Sequence, residues 1–263
     1  MLFSWSSMVK IVAVVGGKHS GKTTVIQYLT RELKGRGYKV GSVKEMPNVK
    51  WIDTPGKETW MHGEAGAEIV AGSAVNETVL FIKRKLSLGE INGFFPGFDY
   101  LLLEGFESEK TVAKIVAAKN AAEARAFCDG LAIAISGVIT ESKEEVEKAS
   151  VLGVPVLNCK LESRRLADIV VQKALPFFPS FAHCGECGYN SCHELAKAII
   201  AGTANLKACP LYGKKDVVLK VNGKIVPLKS FPSLFIRKVL VGMVSSLNDI
   251  GQAEEIELLI KWI

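Results

Sequence analysis

At 263 residues the chain is too long for one small module and fits one large domain or a medium domain with an appendage. Its 48% hydrophobic and 23% charged residues lie far from the low-hydrophobicity, high-charge composition of disorder, which is excluded. The net charge of +6 arises from 33 basic against 27 acidic residues, without a run of five basic residues or a basic stretch interleaved with aromatics, so no nucleic-acid partner is expected. Mean hydropathy is +0.22, yet no apolar run reaches the ~18 residues that span a bilayer, and no membrane partner is expected.

The opening MLFSWSSMVK lacks a basic n-region and leads into no small-residue cleavage site, so no signal peptide is expected and either Met1 or Met8 serves as a start. The reducing cytoplasm is the expected compartment, where clustered cysteines bind metal more often than they form disulfides. Short apolar runs then follow in order: KIVAVV, KVGSV, TVLFIK, DYLLLEG, VAKIVAA, LAIAIS and VPVLN, separated by amphipathic segments. This alternation predicts an α/β fold of the P-loop NTPase type, a mostly parallel sheet covered by helices. Two prolines in PFFPSFAHCGECG end that pattern near Pro179. The expected division is a nucleotide-binding domain over 1–178, a four-cysteine module over 179–212 and a small α+β tail over 213–263. In the tail, DVVLKVNGKIVPL reads as a hairpin about Asn222-Gly223, followed by a helix from Pro232 to about Leu247 and a last strand EIELLIKWI.

Gly16-Gly17-Lys18-His19-Ser20-Gly21-Lys22-Thr23, with Thr24 after it, fits G-x-x-x-x-G-K-[ST] between a predicted strand and a predicted helix. The glycines let the backbone curl so that amides face phosphate oxygens, and the helix N-terminus adds partial positive charge. Lys22 is expected on the β- and γ-phosphates and the Thr23 hydroxyl on Mg2+. A magnesium site also needs an acid at a neighbouring strand end. Glu104, closing Asp99-Tyr-Leu-Leu-Leu-Glu104-Gly105, is one candidate, with a solvent-facing strand end as its plain alternative. Asp53, in Asp53-Thr54-Pro55-Gly56, is the other, with a Pro-Gly turn as its alternative.

The phosphate loop, Lys44 after the second strand, Asp53-Thr-Pro-Gly-Lys-Glu58 with Ala65-Gly66-Ala67, and Leu-Leu-Leu-Glu104-Gly105-Phe106 together resemble the molybdopterin-guanine dinucleotide biosynthesis protein B family, in order across residues 9 to about 106. The resemblance implies a P-loop domain, usually dimeric, that binds GTP with Mg2+, hydrolyses it weakly and serves as adaptor to the guanylyltransferase that attaches GMP to molybdopterin. It implies Lys22, Asp53 and Glu104 as the working residues, and molybdopterin or its nucleotide form and a homodimer among the partners. The family's histidine-rich segment before D-x-P-G is replaced here by Glu45-Met-Pro-Asn-Val-Lys-Trp51. The guanine-reading sequence N-K-x-D of regulatory GTPases is absent, and Asn158-Cys-Lys160 is a base-contact candidate by position alone.

Four of the six cysteines crowd into the 26 residues Cys184-x2-Cys187-x4-Cys192-x16-Cys209, followed by Pro210. Four thiolates suit a [4Fe–4S] cluster, and the final Cys-Pro is shared with ferredoxin runs. Zinc is the alternative, with His183 or His193 as substitute ligands. A helix unbroken from Cys192 to Cys209 would hold the two ~25 Å apart, so a stop at Gly202 is expected. The pattern resembles the iron–sulfur domain of Rnf-type and corrinoid iron–sulfur proteins over residues 184 to 210. Cys128 and Cys159, in apolar company, read as small buried hydrophobes. The leading expectation is a GTP-binding adaptor carrying a [4Fe–4S] cluster. The rivals are a nucleotide-gated electron-transfer protein and a metal or cluster carrier.

Overall fold

A run of five residues with no solvent-accessible side chain organises the first part of the molecule. Ile11 to Val15 of β1 (Lys10–Val15) are buried on both faces, which is why the run is continuously apolar instead of alternating. The computed structural model describes residues 8–178, 187–209, 212, 217, 219–221, 224–226, 228, 230–247, 256 and 258. The chain divides into two compact units, residues 1–180 and 181–263.

In the first unit, β1 is followed by α1 (Lys22–Gly35), β2 (Val40–Lys44), α2 (Glu58–Glu64), β3 (Ile69–Ser73), β4 (Thr78–Ile82), α3 (Leu88–Asn92) and β5 (Tyr100–Glu104). Then come β6 (Ala113–Ala117), α4 (Ala121–Phe127), β7 (Ala132–Ser136), a 3-10 turn (Val138–Glu141), α5 (Lys143–Ser150), α6 (Ser163–Lys173) and β8 (Leu175–Pro176). The main sheet runs β2-β5-β1-β6-β7, all parallel, with β8 antiparallel to the start of β1. The expected mostly parallel sheet flanked by helices is thus the architecture found. Helix α1 buries Val25, Leu29 and Leu33, a single stripe at helical spacing, and packs beside α6, which buries Leu166, Ala167 and Val170. Arg36 joins these two helices by donating to Asp168 Oδ1 (2.7 Å) and the Arg164 carbonyl (2.8 Å).

Two of the expected sheet strands lie elsewhere. TVLFIK forms β4, which pairs antiparallel with β3 from Ile69↔Ile82 to Ser73↔Thr78 as a separate ribbon. The short connection, tied by Ala74 N–H to the Glu77 carbonyl at 2.8 Å, satisfies both strands locally, and the apolar Ile69, Val79 and Leu80 stay exposed. VPVLN contributes only a bridge between Val156 and Ile135, because Pro155 has no N–H with which to extend a ladder.

In the second unit, α7 (Cys192–Ile200) begins at Ser191, whose hydroxyl accepts from Glu194 N–H at 3.2 Å. It stops where expected. Gly202 takes φ +80°, its N–H bonds the Ile199 carbonyl (3.0 Å), and Thr203 N–H bonds the Ala198 carbonyl (2.9 Å), the paired bonds of a Schellman cap. A 3-10 turn over Leu206–Ala208 leads to Cys209. Beyond it lie β9 (Leu219–Val221) and β10 (Lys224–Val226), paired antiparallel, and α8 (Ser230–Ser245). The hairpin turn residues and nearly all of the expected last strand fall outside the described residues.

One buried charge is structural. Lys114, 2% exposed within β6, donates to the Glu107 carbonyl (2.9 Å) and to Asp129 Oδ2 (2.7 Å). Burial alone would raise the Asp129 carboxyl, but the bond and charge of Lys114 outweigh it and hold it below its ordinary 3.8. The stability it supplies is therefore present above that ordinary value and fades as pH falls through the depressed one. Asp129→Ala strands the Lys114 ammonium, and chemical denaturation at neutral pH should register a loss of about 3 kcal/mol, shrinking below pH 4. An unchanged denaturation midpoint would mean that the pair carries no weight.

Candidate functional site

The sheet delivers its chemistry to one edge, the carboxyl ends of parallel strands, where open α/β sheets bind ligands. The loop after β1 curls as its glycines require: Gly16 takes φ +143°, Gly21 +95°, and His19 is held at +60°. A Cβ on Gly16 would collide with the Ala117 carbonyl, so the loop is pressed against the end of β6. Lys18 and His19 are exposed, whereas Ser20 is wholly buried, and its hydroxyl lacks a hydrogen-bond partner among the described residues.

Lys22 and Thr23 open α1, with Gly21 capping it and Thr24 following in the first turn. The Lys22 ammonium folds back to donate to the carbonyls of Gly16 (2.8 Å) and Gly17 (2.6 Å), so that it spans the loop. Thr23 Oγ1 lies 3.1 Å from both Glu104 oxygens. Lys44, at the end of the next strand β2, forms an ion pair with Glu104 Oε1 at 3.0 Å. Glu104 is placed there by the register Val14↔Glu104, with the Gly105 N–H returning to the Val14 carbonyl at 3.0 Å. A hydroxyl and a carboxylate in contact form the hard-oxygen set that Mg2+ takes, and this donor set fits that ion.

Asp53 is placed differently. Its carboxylate accepts from Thr54 N–H (2.9 Å), Thr59 Oγ1 (2.9 Å) and Lys83 Nζ (3.1 Å), closing the loop ahead of α2 onto the β3–β4 ribbon. Its burial would raise the carboxyl, but the bonds from Thr59, Lys83 and Thr54 prevail and hold it low. The structure therefore brings Glu104 to Thr23 and engages Asp53 within its own loop.

Two features of the loop had no role in the sequence reading. Glu123, in the first turn of α4, accepts from Gly17 N–H (3.1 Å) and Lys119 N–H (2.6 Å), and a Cβ on Gly17 would strike it. The signal was partly visible, since Asn120-x-x-Glu123 has the form of a capping box, but the acid reaches the loop instead of the cap residue. On the same flank, Val138 N–H bonds the Ser20 carbonyl at 3.1 Å, and Gly137, at φ +91°, has no room for a Cβ against that carbonyl.

In the second unit, Cys187 and Cys192 are half-buried and Cys209 is buried, while Cys184 lies outside the described residues. Among the described residues no group of three metal-ligating side chains is gathered at one point. Tyr212 links two of the cysteines: burial raises its phenol, and the adjacent Cys209 and Cys192 raise it further. The fold-back at Gly202 thus brings Cys209 towards the start of α7, and four thiols at this spacing are a donor set suited to soft metal centres. Burial likewise raises the thiols of Cys159, which is buried as expected, and of Cys128, which is only half-buried.

The fold and this loop define the first unit as a domain of the P-loop NTPase type. Residues 11–140 match the family profile described as "MobB: Molybdopterin guanine dinucleotide synthesis protein B", and residues 182–211 match one described as "Putative Fe-S cluster". The chain therefore carries a MobB-family domain joined to a domain of that iron–sulfur family. It is 26% identical over 255 residues, 95% of this chain and 96% of the other, to a Methanocaldococcus jannaschii protein named "Putative molybdopterin-guanine dinucleotide biosynthesis adapter protein". A Bacillus subtilis protein, "Probable molybdopterin-guanine dinucleotide biosynthesis adapter protein", is 28% identical over 152 residues, 56% of this chain and 84% of its own length. The crystal structure of Bacillus subtilis MobB superposes with a TM-score of 0.51 at 25% identity, covering 63% of this chain and 98% of that one.

The close approach at Gly137 is directly testable. Gly137→Ala adds a Cβ against a backbone carbonyl at positive φ and should cost about 3 kcal/mol in denaturant unfolding. Gly153→Ala, also at positive φ (+68°) but in open space, should cost only the conformational penalty of about 1 kcal/mol. Equal losses at the two sites would argue against the tight contact.

Proposed function

We propose that this protein is an adapter in molybdopterin guanine dinucleotide biosynthesis that binds GTP with Mg2+ on its first unit and holds a [4Fe–4S] cluster on its second. The observation that carries the reading is the convergence of Lys22, Thr23 and Glu104 at a glycine-formed loop inside a MobB-family domain. The names of the relatives support the pathway, and the match of one of them along nearly the whole chain supports treating the two units as one working protein.

The loop from Gly16 to Thr24 would take the phosphates: backbone amides face the oxygens, and Lys22 leaves the Gly16 and Gly17 carbonyls to pair with them. Thr23 and Glu104 would hold Mg2+, which neutralises charge on the phosphates when bound. Releasing Glu104 to that task loosens its pairing with Lys44 and frees a second ammonium at the same edge. Asp53 would join the metal only by giving up Lys83 and Thr59, which makes its loop a segment able to respond to the γ-phosphate. Hydrolysis would rest on positioning and charge stabilisation alone, and a slow turnover follows. The adapter's partner would be the guanylyltransferase that joins GMP to molybdopterin. In the second unit Cys184, Cys187, Cys192 and Cys209 would supply the four thiolates, with the Schellman cap at Gly202 allowing the last to join the others.

Both halves can be tested on one preparation made without oxygen. Lys22→Ala removes a charge-assisted contact and should weaken Mg·GTP binding roughly tenfold to a hundredfold in calorimetry. Cys209→Ser should abolish the stoichiometric iron and acid-labile sulfide, whereas Cys128→Ser should retain both. Unaltered GTP affinity in Lys22→Ala would contradict the nucleotide reading, and zinc in place of iron in the parent protein would contradict the cluster.

A further inference from the structure

Glu141 closes the 3-10 turn after β7, and its carboxylate is 64% exposed. Backbone ties fix that turn beside the phosphate-type loop. Val138 N–H bonds the Ser20 carbonyl at 3.1 Å, Ile139 N–H bonds the Ala118 carbonyl at 2.8 Å, and the Ile139 side chain is wholly buried. Thr140 Oγ1 closes the turn on the Gly137 carbonyl at 2.8 Å. At ~2 Å of rise per residue, Glu141 stands about 6 Å along the turn from the point where it touches the loop. A neighbouring loop supplies the complementary charge. Ser136 Oγ donates to the Leu157 carbonyl at 2.7 Å, Asn158 Oδ1 accepts from Lys160 N–H at 2.9 Å, and Lys160 Nζ comes to 3.9 Å from Glu141 Oε1. That spacing is an ion pair but too long for a hydrogen bond, and Glu141 accepts no side-chain or backbone hydrogen bond among the described residues, so its lone pairs are available.

The two flanks of the loop differ in chemistry. Thr23, Glu104 and Lys44 occupy the β5 and β2 flank with a set suited to phosphate and metal. On the β7 flank, Glu141 offers an exposed carboxylate and Lys160 a long ammonium stem, both beside the turn that is tied to the loop at Ser20. We propose that Glu141 reads the base of the bound nucleotide, accepting from the ring N1–H and the exocyclic amine of guanine, while the stem of Lys160 lies against the base. This rests on the first unit being a nucleotide site, and it supplies a chemical reason for guanine in a chain without N-K-x-D. A carboxylate only accepts, so it pairs with the two adjacent donors of guanine. Adenine turns its N1 acceptor to the same place and is repelled. Asn158, the earlier candidate, is committed to its own loop through Oδ1.

The test is a swap of hydrogen-bond partners on the full chain. Xanthine keeps N1–H but carries a carbonyl where guanine has the amine, so Glu141→Gln, which accepts and donates, should recognise xanthosine triphosphate. Calorimetry with Mg·GTP and Mg·XTP should show wild type favouring GTP, and E141Q losing roughly tenfold to a hundredfold for GTP while gaining for XTP. Lys160→Ala should weaken both ligands without changing their ratio, and Glu144→Gln, an exposed acid on α5, should leave both unchanged. Because Glu141 is exposed, E141Q should unfold at the parent's temperature. An unaltered GTP to XTP ratio in E141Q, with wild type binding GTP, overturns the role of Glu141 alone. Failure of wild type to bind any nucleotide overturns the site reading beneath it.

Discussion

The first unit depends on a close backbone contact, the Ser20 carbonyl accepting from Val138 N–H at 3.1 Å. Strands β1 and β7 are not neighbours, since β6 lies between them, so the loop after one reaches the turn after the other only across the end of β6. That crossing requires small residues. Ala117 carries the carbonyl against which Gly16 is pressed, and Gly137 leaves space for the Ser20 carbonyl where any Cβ would collide. With the loop pinned here, the first turn of α1 is fixed as well, and Lys22 and Thr23 are presented to the opposite flank, where β5 ends in Glu104.

Charge at this edge is arranged in pairs that can be exchanged. Glu104 is matched by Lys44 and the Lys22 ammonium by two loop carbonyls, while Asp53, away in its own loop, is matched by Lys83. Each partner satisfies a group that would otherwise lose solvation beside a buried sheet, and each is held by bonds weak enough to be replaced by a stronger charge. Glu123 takes one loop amide and so braces the turn at Gly17. The proposal of a nucleotide-responsive edge rests on this arrangement, in which several acids and ammonium groups have a second possible partner.

Much of this was legible in the sequence where the signal was local. The glycine spacing and Gly-Lys-Thr defined the loop, the continuous apolar runs defined the buried parallel strands, and Gly202 defined the end of α7, because each is set by the conformational needs of a few adjacent residues. What escaped was set by pairing at a distance. TVLFIK has strand composition, but only its partner at Ile69–Ser73 decides that it forms an antiparallel ribbon. Asp53 and Glu104 are both candidates as letters, yet three donors claim the first and the register of β5 delivers the second to Thr23. Glu123 lies in a stretch without a phosphate-loop motif, and it gains meaning only because α4 folds onto the loop.

The second unit follows the same logic on a smaller scale: a capped helix, a left-handed glycine and a short 3-10 turn bring distant cysteines towards one another. It matches the iron–sulfur family over residues 182–211, on the same chain as a match to the MobB family over residues 11–140. The central claim is that the first unit is a magnesium-dependent guanine-nucleotide site, and it is met most directly by titrating the 263-residue protein, prepared without oxygen, with GTP and ATP, each with and without Mg2+. The account predicts one GTP per chain, weaker binding when Mg2+ is withheld, and ATP weaker by about tenfold or more. Equal affinity for ATP, or GTP binding indifferent to Mg2+, would contradict it.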